Sequence, residues 1–178
     1  MNVAVLEPKN RDNLATILRS GQNFGVRAVF VIGGFVREQY NGNVHKFSHQ
    51  MNTQGALCEV ALLYFESLSE FLNHLPAQTT LVVVETIQGA YRLAQFEHPP
   101  NATYLFGRET KGVTDADLKL IRAHFVTLQA EIPEPYRQGF QKTAHLAEVY
   151  IDVPNSLNLG VCASIVMYDR HAKRRFHR

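Results

Sequence analysis

Nowhere in the 178 residues does an apolar run approach the about 18 to 20 needed to span a bilayer. The N-terminal Met1-Asn2-Val3-Ala4-Val5-Leu6-Glu7 has no basic region, no long apolar segment and no cleavage site. The expectation is a soluble, unexported, cytoplasmic protein with no membrane partner. Cysteine is scarce: Cys58 and Cys162 stand alone in apolar surroundings without metal-type spacing, so both read as reduced core residues rather than a bridge. His45 and His49 are spaced i, i+4, but no carboxylate or third histidine accompanies them; they read as surface residues, and no metal is expected. Also missing are a Ser/His/Asp set of recognisable spacing, a phosphate loop of the Walker type and a GxGxxG dinucleotide turn.

Acidic residues are absent from the C-terminus. Residues 170 to 178 hold five Lys/Arg and no acid, residues 1 to 50 hold six against three, and residues 51 to 169 hold seven against thirteen. The net +2 therefore hides positive charge gathered at the two ends. Such clusters fit a phosphate-rich partner, with a merely solvated basic tail as the plain alternative.

What is present is alternation. At 46% hydrophobic and 19% charged, the chain has enough apolar residues for one well-filled core and too few residues for two comfortable domains. Val3 to Leu6 reads as a buried strand stopped by Pro8. A helix follows, with Asp12 as N-cap, Leu14, Ile17 and Leu18 on its apolar face and Gly25 as its stop. Ala28 to Ile32 is the next strand, and 35 to 57 hold a loop around Asn41, Gly42 and Asn43. Then come a strand from Glu59 to Phe65, a short helix from Ser67 to Leu75 capped by Ser67, and a central strand from Thr79 to Thr86. Ala102 to Phe106 is a strand running into Gly107, and Thr114 caps a helix through Arg122. Residues 129 to 148 read as a loop excursion because Pro133, Pro135 and Gly139 forbid a long regular element. Glu148 to Val153 returns as a strand, and Leu157 to His171 forms the last helix. This order predicts an α/β fold: a parallel sheet flanked by helices, joined by right-handed crossovers.

Three stretches put polar or glycine residues where an apolar strand-like run gives way to a helix, the place where open α/β sheets bind ligands. They are Asp12 to Arg19, Tyr104 to Gly112 and Ser156 to Arg170. Asn13-Leu14-Ala15-Thr16-Ile17-Leu18-Arg19 leading to Phe24-Gly25, Leu105-Phe106-Gly107-Arg108-Glu109-Thr110-Lys111-Gly112, and Ser156-Leu157-Asn158 with its following helix resemble, in order, the three motifs of the SpoU/TrmH family of SPOUT methyltransferases.

The resemblance implies a single SPOUT domain over 1 to 178 with a deep C-terminal trefoil knot. It further implies S-adenosyl-L-methionine-dependent methylation of a ribose 2′-hydroxyl in tRNA or rRNA by a homodimer. Arg19 is similar to the family's essential arginine and Asn13 to the polar residue supporting it. The cofactor would lie along Glu85, Thr86, Gly107, Glu109, Ile151, Ser156, Leu157 and Asn158. RNA would meet Arg11, Arg19, Lys173, Arg174 and Arg175, while Ala172 stands where the family often carries an arginine. The link to the third motif departs from the family's short one, running through 129 to 148 and Ile151-Asp152-Val153-Pro154-Asn155.

With no separate RNA-binding module before Val3, a compact tRNA loop is the expected target rather than a large ribosomal site, and DNA is not expected. The dimer contact is expected from Leu14, Ile17 and Leu18 with Val161, Ile165 and Tyr168. Two alternatives stay open: a non-catalytic RNA-binding or assembly protein that keeps the fold, and an α/β enzyme acting on a small nucleotide.

Overall fold

A computed structural model describes residues 1–34, 59–76, 78–131 and 145–176. His45, His49, Cys58, the loop around Gly42 and the proline-rich centre of the 129–148 stretch lie outside the described residues. Seven strands are present among those described: β1 (Asn2–Leu6), β2 (Ala28–Ile32), β3 (Ala61–Phe65), β4 (Thr80–Val84), β5 (Tyr91–Arg92), β6 (Ala102–Phe106) and β7 (His145–Tyr150). The helices are α1 (Arg11–Phe24), α2 (Leu68–Asn73), α3 (Asp115–Glu131) and α4 (Leu159–Phe176), with a 3-10 turn at Leu93–Gln95. The sheet order is β3-β2-β1-β6-β4-β7-β5, and every pairing is parallel.

The period-two alternation of each strand divides the core into two layers. Val3, Val5, Val29, Val31, Val82, Tyr104 and Phe106 face α1 and α4. Ala4, Leu6, Phe30, Ile32, Leu81, Val83 and Leu105 face α2 and α3. Both faces are covered, which is why β1, β2, β4 and β6 are near-continuous apolar runs, broken by Thr80 and Thr103, and are buried at every position but Asn2.

Several boundaries differ from those expected. Asn10, not Asp12, caps α1: its backbone is extended and its side chain accepts the N–H of Asp12 at 2.7 Å, leaving Asp12 in the first turn beside the helix dipole. Gly25 ends α1 in the left-handed conformation, as expected (φ 72°). Helix α3 continues past Arg122 to Glu131 because Ile121 and Phe125 extend the apolar face begun by Leu118. With β7 beginning at His145, both ends of the expected excursion belong to regular structure. Helix α4 starts at Leu159 rather than Leu157, since the Asn158 side-chain oxygen accepts the N–H groups of Gly160 (2.9 Å) and Val161 (3.2 Å).

Helices α1 and α4 run side by side in one direction, residue i against residue i+144. A β-carbon on Gly160 would sit 3.1 Å from the Thr16 side chain, the hydroxyls of Ser20 and Ser164 are 2.8 Å apart, and Phe24 meets Tyr168 edge-on at 6.0 Å. Leu14, Ile17 and Leu18 are fully buried against the sheet and so are not open to a second chain. Val161 and Tyr168 remain exposed, at 47% and 60%.

Candidate active site

Strand order reverses between β1 and β6, and the loops leaving the C-terminal ends of β4, β6 and β7 frame a cleft of about 720 Å³, a volume suited to a cofactor-sized molecule. All eight residues expected at the cofactor line it: Glu85, Thr86, Gly107, Glu109, Ile151, Ser156, Leu157 and Asn158. Cys162 also lines it, although its apolar neighbours in sequence point to the core. Burial is the main reason its thiol is pushed up to about 11.

The three motifs are tied by side-chain hydrogen bonds rather than merely adjacent. Asn158 Nδ2 donates to Asn13 Oδ1 at 2.9 Å, and Asn13 Nδ2 donates to Glu109 Oε1 at 3.2 Å. Glu109 also accepts the backbone N–H of Lys9 (3.0 Å to each oxygen) and of Asn10 (3.1 Å). Asn13 is 6% exposed, so an amide able both to accept and to donate is the group its position requires. The Glu109 carboxylate is thus turned toward the first motif. Asn13 acts within the chain as a link between the other two.

The loop after β6 closes on itself. Arg108 and Gly112 exchange N–H···O bonds at 3.0 Å each way, and a β-carbon on Gly107 would lie 2.2 Å from the Gly112 carbonyl carbon. At Gly112 (φ 60°) a β-carbon would strike Glu85 Oε2. Glu85 fills that space, accepting the N–H of Val113 at 2.8 Å and of Thr86 at 2.9 Å. Only glycine lets the backbone come this close.

Arg108, not singled out by its sequence context, locks the loop from outside. Its guanidinium reaches Asp117 of α3 and Glu7 at the end of β1, each at 2.6 Å. The Arg108 hydrogen bond holds the Glu7 carboxyl below its ordinary range. Burial alone would raise Asp117, but bonds from Arg108 and Thr114 together outweigh it and hold it low.

The arginines divide. Arg19 is exposed on α1 and does not line the cleft of its own chain. Arg11, at the start of α1, is exposed beside Asp12 at 3.9 Å. Arg174 and Arg175 are exposed at the end of α4. Lys173 is engaged internally: its ammonium donates to the carbonyls of Leu93 (2.6 Å) and Phe96 (3.3 Å) and pairs with Asp169 at 2.8 Å. Asp169 also meets His98 Nε2 at 2.8 Å, and His98 Nδ1 meets the Tyr104 hydroxyl at 2.7 Å. Burial lowers His98 despite Asp169. Among the described residues no cluster of three His, Cys, Asp or Glu is arranged to hold a metal ion, and no helix is long and apolar enough to cross a membrane.

A sequence model of the SpoU rRNA Methylase family matches residues 1–132. No curated protein matches the chain. Among solved structures, the SpoU methyltransferase AviRb from Streptomyces viridochromogenes in complex with AdoMet aligns with a TM-score of 0.66 at 18% identity over 99% of this chain. This chain spans 61% of that protein's length. A structure described as giving insight into the 2-OH methylation of C/U34 on tRNA aligns at 0.66 and 18%, covering 99% of this chain and 97% of that one. The A. aeolicus TrmH/SpoU tRNA modifying enzyme aligns at 0.67 and 17%, covering 99% and 76%. At these identities the structures speak for the shared fold.

Proposed function

The chain belongs to the SpoU rRNA methylase family, and from that premise we propose that it transfers a methyl group from S-adenosylmethionine to a ribose 2′-hydroxyl of RNA. The observation that carries the reading is the convergence of the three motifs on one cleft, joined through Asn13, Glu109 and Asn158. The cleft fits the cofactor in size and in its lining, with loop backbone at Gly107 brought close where no side chain has room. Glu85, Thr86, Gly107, Ile151, Ser156 and Leu157 would hold it, while Glu109, Asn13 and Asn158 fix the loops that do so. S-adenosylmethionine supplies a methyl on a cationic sulfur, and transfer breaks that C–S bond as the RNA oxygen forms its O–C bond. The chain's task is to hold that oxygen in line.

Arg19 serves this task as a cation. A guanidinium stays protonated, so it grips the phosphate beside the target ribose and favours the developing alkoxide, with the hydroxyl proton leaving to phosphate or water. Its place outside its own chain's cleft supports a homodimer in which each subunit's Arg19 completes the partner's site. Val161, Ile165 and Tyr168, spaced i, i+4, i+7 along α4 with the outer two well exposed, offer an apolar stripe for an isologous contact.

One SPOUT domain with its C-terminal knot carries the whole activity in this reading. A compact tRNA target is favoured by the near-complete coverage of the tRNA-related structure. Mapping 2′-O-methylation in total RNA from cells with and without the protein tests the proposal: one or a few sites, in tRNA, should vanish. An unchanged map, or loss of a base methylation instead, would overturn it.

A further inference from the structure

At the far end of α1 and α4 lies a second cleft, of about 420 Å³, lined by Phe24, Gly25, Arg170, His171, Arg174 and Arg175, with Met1. No acid lines it. The 14 residues of α1 set it about 20 Å from the motif cleft. Its buried wall is Arg170, only 3% exposed. Arg170 Nη2 donates to the carbonyls of Pro99 (2.9 Å) and Pro100 (2.7 Å), while Nε has no partner among the described residues. The adjacent Asp169 is taken by His98 and Lys173. A buried guanidinium with no carboxylate is a costly arrangement that an anion would relieve.

We propose that this cleft is a phosphate-binding site, with Arg170 as its fixed wall and Arg174 and Arg175 as the exposed arms that close on the anion. Guanidinium groups match phosphate through paired N–H donors, and His171 adds a further donor when protonated. The dipoles of two helix C-termini account for Arg174 and Arg175 as surface cations. They do not account for Arg170, whose charge lies under the cleft without an acid. The phosphate is either a backbone phosphodiester of RNA, which rests on the function proposed above, or a free phosphate, which does not.

The test is a titration of the isotope-labelled full chain with inorganic phosphate, followed by NMR, and of a fluorescent oligouridylate with the protein, followed by anisotropy. Gly25, His171 and the Arg170 Nε–H should shift saturably with phosphate. The double variant Arg174→Gln/Arg175→Gln should weaken that binding about tenfold or more. For oligouridylate, the same variant should lower the slope of log affinity against log salt by about one unit for each phosphate it no longer neutralises. Arg170→Met probes the buried wall, and because it risks the Pro99–Pro100 anchor, the surface double variant decides if it misfolds. Saturable shifts with unchanged oligouridylate binding assign the site to a free phosphate. No saturable shift at these residues overturns it. Calorimetry with S-adenosylmethionine on the same samples separates the two claims: wild type that binds phosphate here but no cofactor would sink the proposed function and leave this site standing.

Discussion

Asn158 donates a hydrogen bond to Asn13 across 145 positions of sequence, at 2.9 Å, and Asn13 passes the connection to Glu109 at 3.2 Å. The first and third motifs therefore hold the second in place through one buried amide. Asn13→Asp sets a carboxylate against Glu109 and removes the donor between them. Stability should fall by about 1–3 kcal/mol, the cost of leaving a buried group without its partner, and cofactor affinity should fall with it because the loops it ties border the cleft. Thermal unfolding and calorimetry check this. A variant as stable as wild type would show that the link is incidental.

Gly107 gives a sharper steric test. Gly107→Ala requires displacement of backbone 2.2 Å away, whereas Gly89→Ala, at φ 87° with nothing within 4 Å, meets only conformational strain. Gly107→Ala should lose S-adenosylmethionine binding, measured by calorimetry with chelator present. Gly89→Ala should cost about 1 kcal/mol of stability and keep binding. Equal effects of the two substitutions would contradict the close approach of backbone at Gly107.

The Arg108 lock makes a prediction with pH. Glu7 and Asp117 are both held below their ordinary values, so their contribution is present above the unfolded carboxyl range of about 4 and is lost as pH falls through the lower folded values. Arg108→Met should be less stable than wild type in urea near pH 7, and the difference should narrow as pH falls below the unfolded carboxyl range. A difference that stays constant with pH would assign the loss to packing alone.

A shared site can be tested by complementation. Arg19→Ala should be inactive while binding cofactor within a few-fold of wild type. Thr86→Trp, on the cleft wall and outside the Asn13–Glu109–Asn158 chain, should block the cofactor. Mixed heterodimers should regain part of the activity. Verified heterodimers with none would refute a composite site.

The sheet was legible because buried parallel strands are near-continuous apolar runs: Val3 to Leu6, Ala28 to Ile32 and Ala102 to Phe106 all lie in strands. The two-residue β5 was not, since Tyr91 and Arg92 carry no periodicity to detect. The cleft lining was legible because motif residues follow strand ends. The link among its polar groups was not: Asn10 outcompeting Asp12 as cap turns on local backbone geometry, and Glu109 turning to the first motif and Arg108 reaching Glu7 depend on distances between segments about 100 positions apart. Part of the expected dimer face lies inside the chain's own core for a related reason. A helix pattern marks an apolar side, but only packing shows that Leu14, Ile17 and Leu18 spend it on the sheet.

Methyl transfer by the purified chain from isotope-labelled S-adenosylmethionine to total RNA, digested to nucleosides and read by mass spectrometry, tests the proposed activity most directly. Label is expected in 2′-O-methylated nucleosides, at one or a few tRNA positions, with none from Arg19→Ala. Label on a base, or no label from a protein that binds both cofactor and RNA, would contradict it.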